Sequence, residues 1–329
     1  MLIPLNPVSR CTLNLRRQRR AAWGWMAAVV FLLATIGVAA AQGVNDGQLR
    51  RTDGRSVICS RDQDLLDRVR CRGSLRVGVR GNYPGFGVRN EATFTGYDVS
   101  VAKLIGEELG VAVELVEVTS LNRIAKLGSG SVDMVIATMA HTTTRQREIR
   151  FVRPHYYAAY TAVVGEKTSA LRGEYDLAGR SVCTPLGHFS NLRLTELRAR
   201  VSLYDNSTRM MDALMSGVCS MVLHDATFFL AETRGVAFAR RFEEKVRFDS
   251  APWGIGIAHG ATDGLYWVVS KIIAEALRTG RLTELAATSG VPTAFLSEQE
   301  ANWSMPECWN EGAPSELCFL TPYEDEFIR

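Results

Sequence analysis

The sequence predicts an α/β fold of two lobes joined by a hinge. Three observations carry that expectation. Short apolar runs alternate with helical periodicities from Ser74 onward, the same grammar returns after Gly179, and the stretches T-A-V-V-G and W-G-I-G-I are placed to carry the chain across between the repeats.

In the first repeat, S-L-R-V-G-V (Ser74 to Val79) reads as a strand and runs into the turn-rich G-N-Y-P-G-F-G. Apolar residues at helical spacing follow in G-Y-D-V-S-V-A-K-L-I-G-E-E-L-G, with Asp98 as the expected N-cap and Gly110 as the stop. V-A-V-E-L-V-E-V alternates like a strand, L-N-R-I-A-K-L makes a short helix ended by G-S-G, and V-D-M-V-I-A is the next strand. In the second repeat the strands are R-S-V-C-T-P, V-S-L-Y and S-M-V-L-H-D. The helices open at Gly187 and at T-R-M-M-D-A-L-M-S-G. A-P-W-G-I-G-I-A then returns as a strand, and L-Y-W-V-V-S-K-I-I-A-E-A-L is an amphipathic helix. The expected division is 1–41 leader, 42–73 N-terminal extension, 74–163 lobe 1, 164–250 lobe 2, 251–295 return to lobe 1, and 296–329 a C-terminal tail. That tail, with W-S-M-P-E-C-W-N, is drawn beyond both lobes, so truncation from Trp303 is expected to spare binding.

The chain has 329 residues, 47% hydrophobic and 22% charged, which is ordinary globular material with room for two lobes of roughly 100 residues each. Its formal charge of +3 comes from the leader, where Arg10, Arg16, Arg17, Arg19 and Arg20 meet no acid. The 33 Lys+Arg beyond it face 35 Asp+Glu, which leaves no basic footprint for nucleic acid. A basic stretch to Arg20, an apolar run from Ala21 and A-A-A before Gln42 read as a signal peptide cleaved after Ala41; an uncleaved anchor is the alternative, because about twenty residues can also span a bilayer.

Export gives the cysteines a meaning. Beyond Cys11 in the leader there are six, Cys59, Cys71, Cys183, Cys219, Cys308 and Cys318, an even number suited to disulfides, with fifteen pairings open. Proximity favours Cys59 with Cys71 and Cys308 with Cys318, which leaves Cys183 and Cys219. With no Cys-x-x-Cys and five scattered histidines, neither a metal site nor a cofactor is expected.

Ligands of open α/β sheets sit beyond the carboxyl ends of the strands. The residues expected there are Arg80, Tyr83, Ser120 and Arg123, the loop from Thr138 through Ala140 to Arg145, the turn from Gly187 through His188 to Ser190, and Asp225. Three arginines at such points are costly to desolvate unless something anionic answers them, and a guanidinium offers a carboxylate a planar fork. A helix opening after Gly187 would add free amides. Arg123 could instead pair with Glu117 or Asp133, and Phe86 reads as core filling. Loop histidines His141, His188 and His224 are read as incidental, with no nucleophile–base pair and no catalytic residue.

The order G-Y-D-V, T-S-L-N-R-I, A-T-M-A-H-T-T-T-R-Q-R-E-I-R-F and V-L-H-D resembles the periplasmic polar amino acid binding proteins of ABC importers (solute-binding protein family 3) over roughly Leu75 to Gly290. The resemblance implies a two-lobed periplasmic binding protein type II fold with a central ligand cleft and a two-strand hinge. It also implies an amino acid ligand, an inner-membrane permease as partner, a monomer and a periplasmic location. It places the ligand α-carboxylate on Arg145 and the α-ammonium on Asp225. A finer likeness to the glutamate/aspartate branch places a side-chain carboxylate on Arg80, Ser120 and Arg123. Ser100 stands where the signature has a second acid, Ala140 replaces a ligand-binding threonine, and P-L-G-H-F-S replaces S-G-T-T-S. Cys183 and Cys219 match a cysteine pair of general amino acid binders, in keeping with their bridge. Two alternatives share the scaffold: a cyclohexadienyl or arogenate dehydratase-like enzyme, which turnover of prephenate or arogenate would reveal, and an anchored ligand-sensing receptor.

Overall fold

The computed structural model describes residues 48–50, 56–60, 63–233, 236–260 and 262–325; the expected leader lies outside them. One half of the molecule is built on β1 (Ser74–Arg80), β2 (Ala112–Val118) and β3 (Met134–Val135). β1 runs parallel to β2 through seven register pairs and to β3 on its other side. Two strands much longer than the rest follow in the chain at β4 (Arg150–Glu166) and, later, β8 (Phe242–Ile257). Between them lie β5 (Ser181–Pro185), β6 (Arg200–Tyr204) and β7 (Met221–Asp225), with β5 parallel to both neighbours. The sheet order is β6-β5-β7-β4-β8-β3-β1-β2, so two parallel halves flank an antiparallel central pair.

The apolar periodicity located the short strands well and the long ones only in part. β4 begins in R-F-V-R-P-H-Y-Y, which reads as charged and proline-interrupted, because proline has no N–H for a ladder. The register absorbs this. Trp253 pairs with Tyr157 and Ile255 with Val152, which leaves residues 153–156 out of step. β8 opens with F-E-E-K-V-R-F, where only Phe242, Val246 and Phe248 are buried.

All three disulfides join the cysteines that proximity and resemblance favoured: Cys59–Cys71, Cys183–Cys219 and Cys308–Cys318. Under the first half's sheet, Tyr83, Phe86, Tyr97, Tyr157 and Trp253 pack edge to face with centroids 5.0–6.2 Å apart, so Phe86 is core as expected.

The helix Tyr97–Leu109 stops at Gly110, whose φ of 68° is the left-handed conformation glycine takes without strain. Its start corrects the sequence reading. Gly96, not Asp98, is the N-cap, and Asp98 is fully buried beneath β4, where its Oδ1 accepts the Tyr156 hydroxyl at 3.0 Å. Burial pushes this carboxyl up to about 7, against the Tyr156 hydrogen bond and the Arg80 charge, which work the other way.

The C-terminal segment also departs from expectation. After the helix Ala294–Trp303, the indole of Trp303 is fully buried, with Trp309 and Phe319 rings at 6.3 and 6.1 Å, and Trp309 Nε1 donates to the Trp303 carbonyl at 2.9 Å. Truncation from Trp303 would therefore open the core. Trp303→Ala should lower unfolding free energy by about 3–5 kcal/mol in urea titrations; a loss under about 1 kcal/mol would show the segment to be dispensable. For Asp98 the folded value lies above the ordinary 3.8, so the proton is held more tightly in the fold. Stability from that proton is complete below about pH 4 and lost as pH rises through about 7. Asp98→Asn should lack this loss, so its stability relative to the parent should grow between pH 5 and 8; a constant difference would contradict a neutral buried acid.

Candidate functional site

The carboxyl ends of the two parallel halves converge beside the central pair. Arg80 ends β1, Ser120 follows β2, Arg123 opens the short helix Arg123–Gly128, and the loop after β3 leads into the helix Thr143–Glu148 that carries Arg145. From the other half come the turn after β5 and Asp225, the last residue of β7. Arg80, Tyr83, Arg123, Thr138, Ala140, Arg145, His188, Ser190 and Asp225 are between 0 and 9% exposed, and Ser120 is half-buried.

Each guanidinium is held by uncharged oxygens. Arg80 donates to Ser120 Oγ at 2.8 Å and to Asn82 Oδ1 at 3.3 Å. Arg123 donates to the carbonyls of Ala137 at 2.6 Å and Thr138 at 3.4 Å. It is no surface bridge: Glu117 is paired with Arg89, and Asp133 with Arg72 and Arg76. Arg145 donates to the Ala140 carbonyl at 2.9 Å and, across to the other half, to the Gly187 carbonyl at 3.0 Å. Ala140 thus contributes its backbone, which also bridges to Trp253. Thr138 adopts φ 47° and gives its N–H to the Tyr156 hydroxyl at 3.0 Å, while its own hydroxyl is unpaired.

Burial dominates the electrostatics. It brings Arg145 down to about 10 and lowers Arg80 and, further, Arg123, on which the charges of Arg145 and Arg80 add to the effect. Asp225 is a counter-charge felt by all three. Burial would raise its carboxyl, but the His188 imidazole, hydrogen-bonded to Oδ1 at 3.2 Å, leads the influences that keep it below the ordinary value.

Histidines set the orientation of that carboxylate. His188 Nδ1 accepts the Ser190 N–H at 3.2 Å, which leaves Nε2 to donate to Asp225. His224 Nδ1 accepts the Asp225 N–H at 2.8 Å, and its Nε2 meets the Ser207 hydroxyl at 3.0 Å. Among the described residues, His188, His224 and Asp225 are close enough to share a metal ion, with ligand atoms within 4.8 Å. All four ring nitrogens are engaged in hydrogen bonds, two of them to Asp225 itself, and these orient its carboxylate.

The two halves touch here. Tyr83 reaches across to Thr227 Oγ1 at 2.6 Å and Asp225 Oδ2 at 3.5 Å. At Gly187, φ is 81° and a Cβ would stand 2.9 Å from the Ser120 carbonyl oxygen, so only glycine fits this approach. The expected helix after Gly187 begins later, at Asn191, and spans six residues. Its approach has few free amides: His188, Ser190 and Asn191 donate to the Pro185 carbonyl, the His188 ring and the His188 carbonyl. Ser190 Oγ meets Thr161 at 3.1 Å on β4. Asn82, Asp98, Tyr156, Ser207 and Thr227 were not anticipated at the site. Asn82, two residues past Arg80, and Thr227, two residues past Asp225, carried a local signal.

Comparisons with known proteins agree with this architecture. The model of bacterial extracellular solute-binding proteins, family 3, matches residues 75–289. The glutamine-binding protein of Geobacillus stearothermophilus is 28% identical over 253 residues, covering 73% of this chain and 95% of that protein. The glutamate-binding protein GluB of Corynebacterium efficiens is 25% identical over 266 residues, covering 75% and 85%. A solved ancestral arginine-binding protein bound to arginine superposes with a TM-score of 0.61 at 28% identity, covering 66% of this chain and 98% of that one. The fold is accordingly the two-lobed periplasmic binding protein type II, and the chain belongs to the bacterial extracellular solute-binding proteins, family 3.

Proposed function

We propose that this protein captures an amino acid with an acidic side chain, glutamate or aspartate, between its lobes outside the cytoplasm and delivers it to the permease of an ABC importer. The observation that carries the reading is the burial of Arg80, Arg123 and Arg145 around a carboxylate already committed to histidine. Three guanidiniums exceed what Asp225 and Asp98, whose carboxyl burial raises to about 7, can balance, and an α-amino acid with a second carboxylate brings one net negative charge and one ammonium. In this reading Arg145 takes the α-carboxylate, Asp225 the α-ammonium, and Arg80, Ser120 and Arg123 the side-chain carboxylate. Tyr83 covers the aliphatic part. The lobes are 74–163 with 251–295, and 164–250. The relatives named for glutamine and glutamate support an amino acid ligand of this size. The chain acts as a periplasmic monomer, exported by residues 1–41. Closure is driven by contacts that exist only with the lobes together.

Calorimetric titration with the common amino acids tests the reading. Glutamate or aspartate should bind most tightly, and Arg145→Ala should abolish heat for every ligand. Arg123→Ala should weaken glutamate and aspartate by about 10- to 100-fold, the scale of a hydrogen bond to a charged group, and glutamine much less. Equal losses for all three would overturn the side-chain role.

A further inference from the structure

The matched family region ends at residue 289, yet the described chain continues to Asp325 and returns to the site. It is anchored upstream by the buried Trp303 and by the Cys308–Cys318 bridge, with Phe319 against Trp303. Beyond them Tyr323 forms a parallel bridge with Thr142: its N–H donates to the His141 carbonyl at 2.7 Å and its carbonyl accepts the Thr143 N–H at 3.1 Å. Asp325 accepts the Thr143 hydroxyl and, at 3.1 Å, the Thr144 N–H. These groups form the first turn of the helix that carries Arg145, whose own N–H is capped by Thr142 Oγ1 at 3.2 Å. The Tyr323 ring stands edge-on to Phe189 at 5.3 Å, in the turn of the opposite half, and Phe189 stacks on His188, the partner of Asp225. One short segment therefore grips the arginine-bearing turn on one side of the cleft and the turn supporting the acid on the other.

We propose that Tyr323 and Asp325 are positioning residues: the C-terminal strap fixes the turn that aims Arg145 and ties it to the opposite half, so that it sets how long a ligand stays bound. This rests on the reading of Arg145 as the carboxylate-holding group. Side-chain changes at the strap's tip separate this role from the structural one of Trp303, because Tyr323 is half-buried and Asp325 lies downstream of the disulfide.

Stopped-flow binding of L-glutamate to the full exported chain tests it, with L-glutamine as second probe. Asp325→Ala and Tyr323→Ala should each raise the dissociation rate about tenfold, with association changed less than about twofold, since losses of this kind fall mainly on dissociation. Asp325→Asn keeps an acceptor for the Thr143 hydroxyl and Thr144 amide and should restore most of the parental rate. Amide exchange at Thr143 and Thr144 should accelerate in Asp325→Ala while the midpoint of global unfolding in urea stays close to that of the parent. Unchanged dissociation in both alanine variants, with a parent that binds normally, would overturn the strap alone. A parent that binds neither probe nor any other common amino acid would overturn the ligand reading, and the strap with it.

Discussion

Antiparallel hydrogen bonding between β4 and β8 joins two sets of strands that share no other ladder among the described residues. Twelve register pairs run along this central ladder, and three strands lie on each side of it. Because the outer strands are parallel within each half, their carboxyl ends, and every side chain mounted there, are aimed by the central pair. Arg80, Arg123 and Arg145 come to one wall and Asp225 to the other without any loop having to travel far. The departures from regular pairing, between Glu244 and Val246, Arg247 and Ser250, and Trp253 and Ile255, fall on this same ladder.

The price of such a site is buried charge, and the structure meets it with dipoles. Carbonyls of Ala137, Ala140 and Gly187 and the Ser120 hydroxyl receive the guanidinium protons. A carbonyl solvates a cation without neutralising it, so the positive field survives for an anion to use. Two of the buried aspartates, Asp98 and Asp225, have opposite fates for the same reason. Asp225 sits among imidazole and guanidinium groups and stays ionised, whereas Asp98 lies beneath tyrosines and favours its proton.

The local grammar of the fold was legible in the sequence. Alternating apolar runs, the Gly110 stop and the residue types at strand ends gave most short strands, and the arginines and Asp225 at their tips. What could not be read depends on distant partners. Asp98 looks like a helix cap until Tyr156, 58 residues on, supplies a hydroxyl. The long strands hide behind Pro154 and alternate charges, because their stability comes from each other. Trp303 reads as tail until Trp309 and Phe319 cover it. Gly187 looked like a helix opening, but its positive φ and the nearby Ser120 carbonyl make it a point of contact between halves.

Glu166 and Phe242 are register partners, so residues 167–241 depart from the central ladder and rejoin it at adjacent positions. Such an excursion is tied off at its base, and Cys183–Cys219 staples it internally. It has the geometry of a tolerated domain insertion. The wall that bears the acid is thus one continuous stretch of chain laid against β4, whereas the half that bears the guanidiniums draws on strands both before and after it.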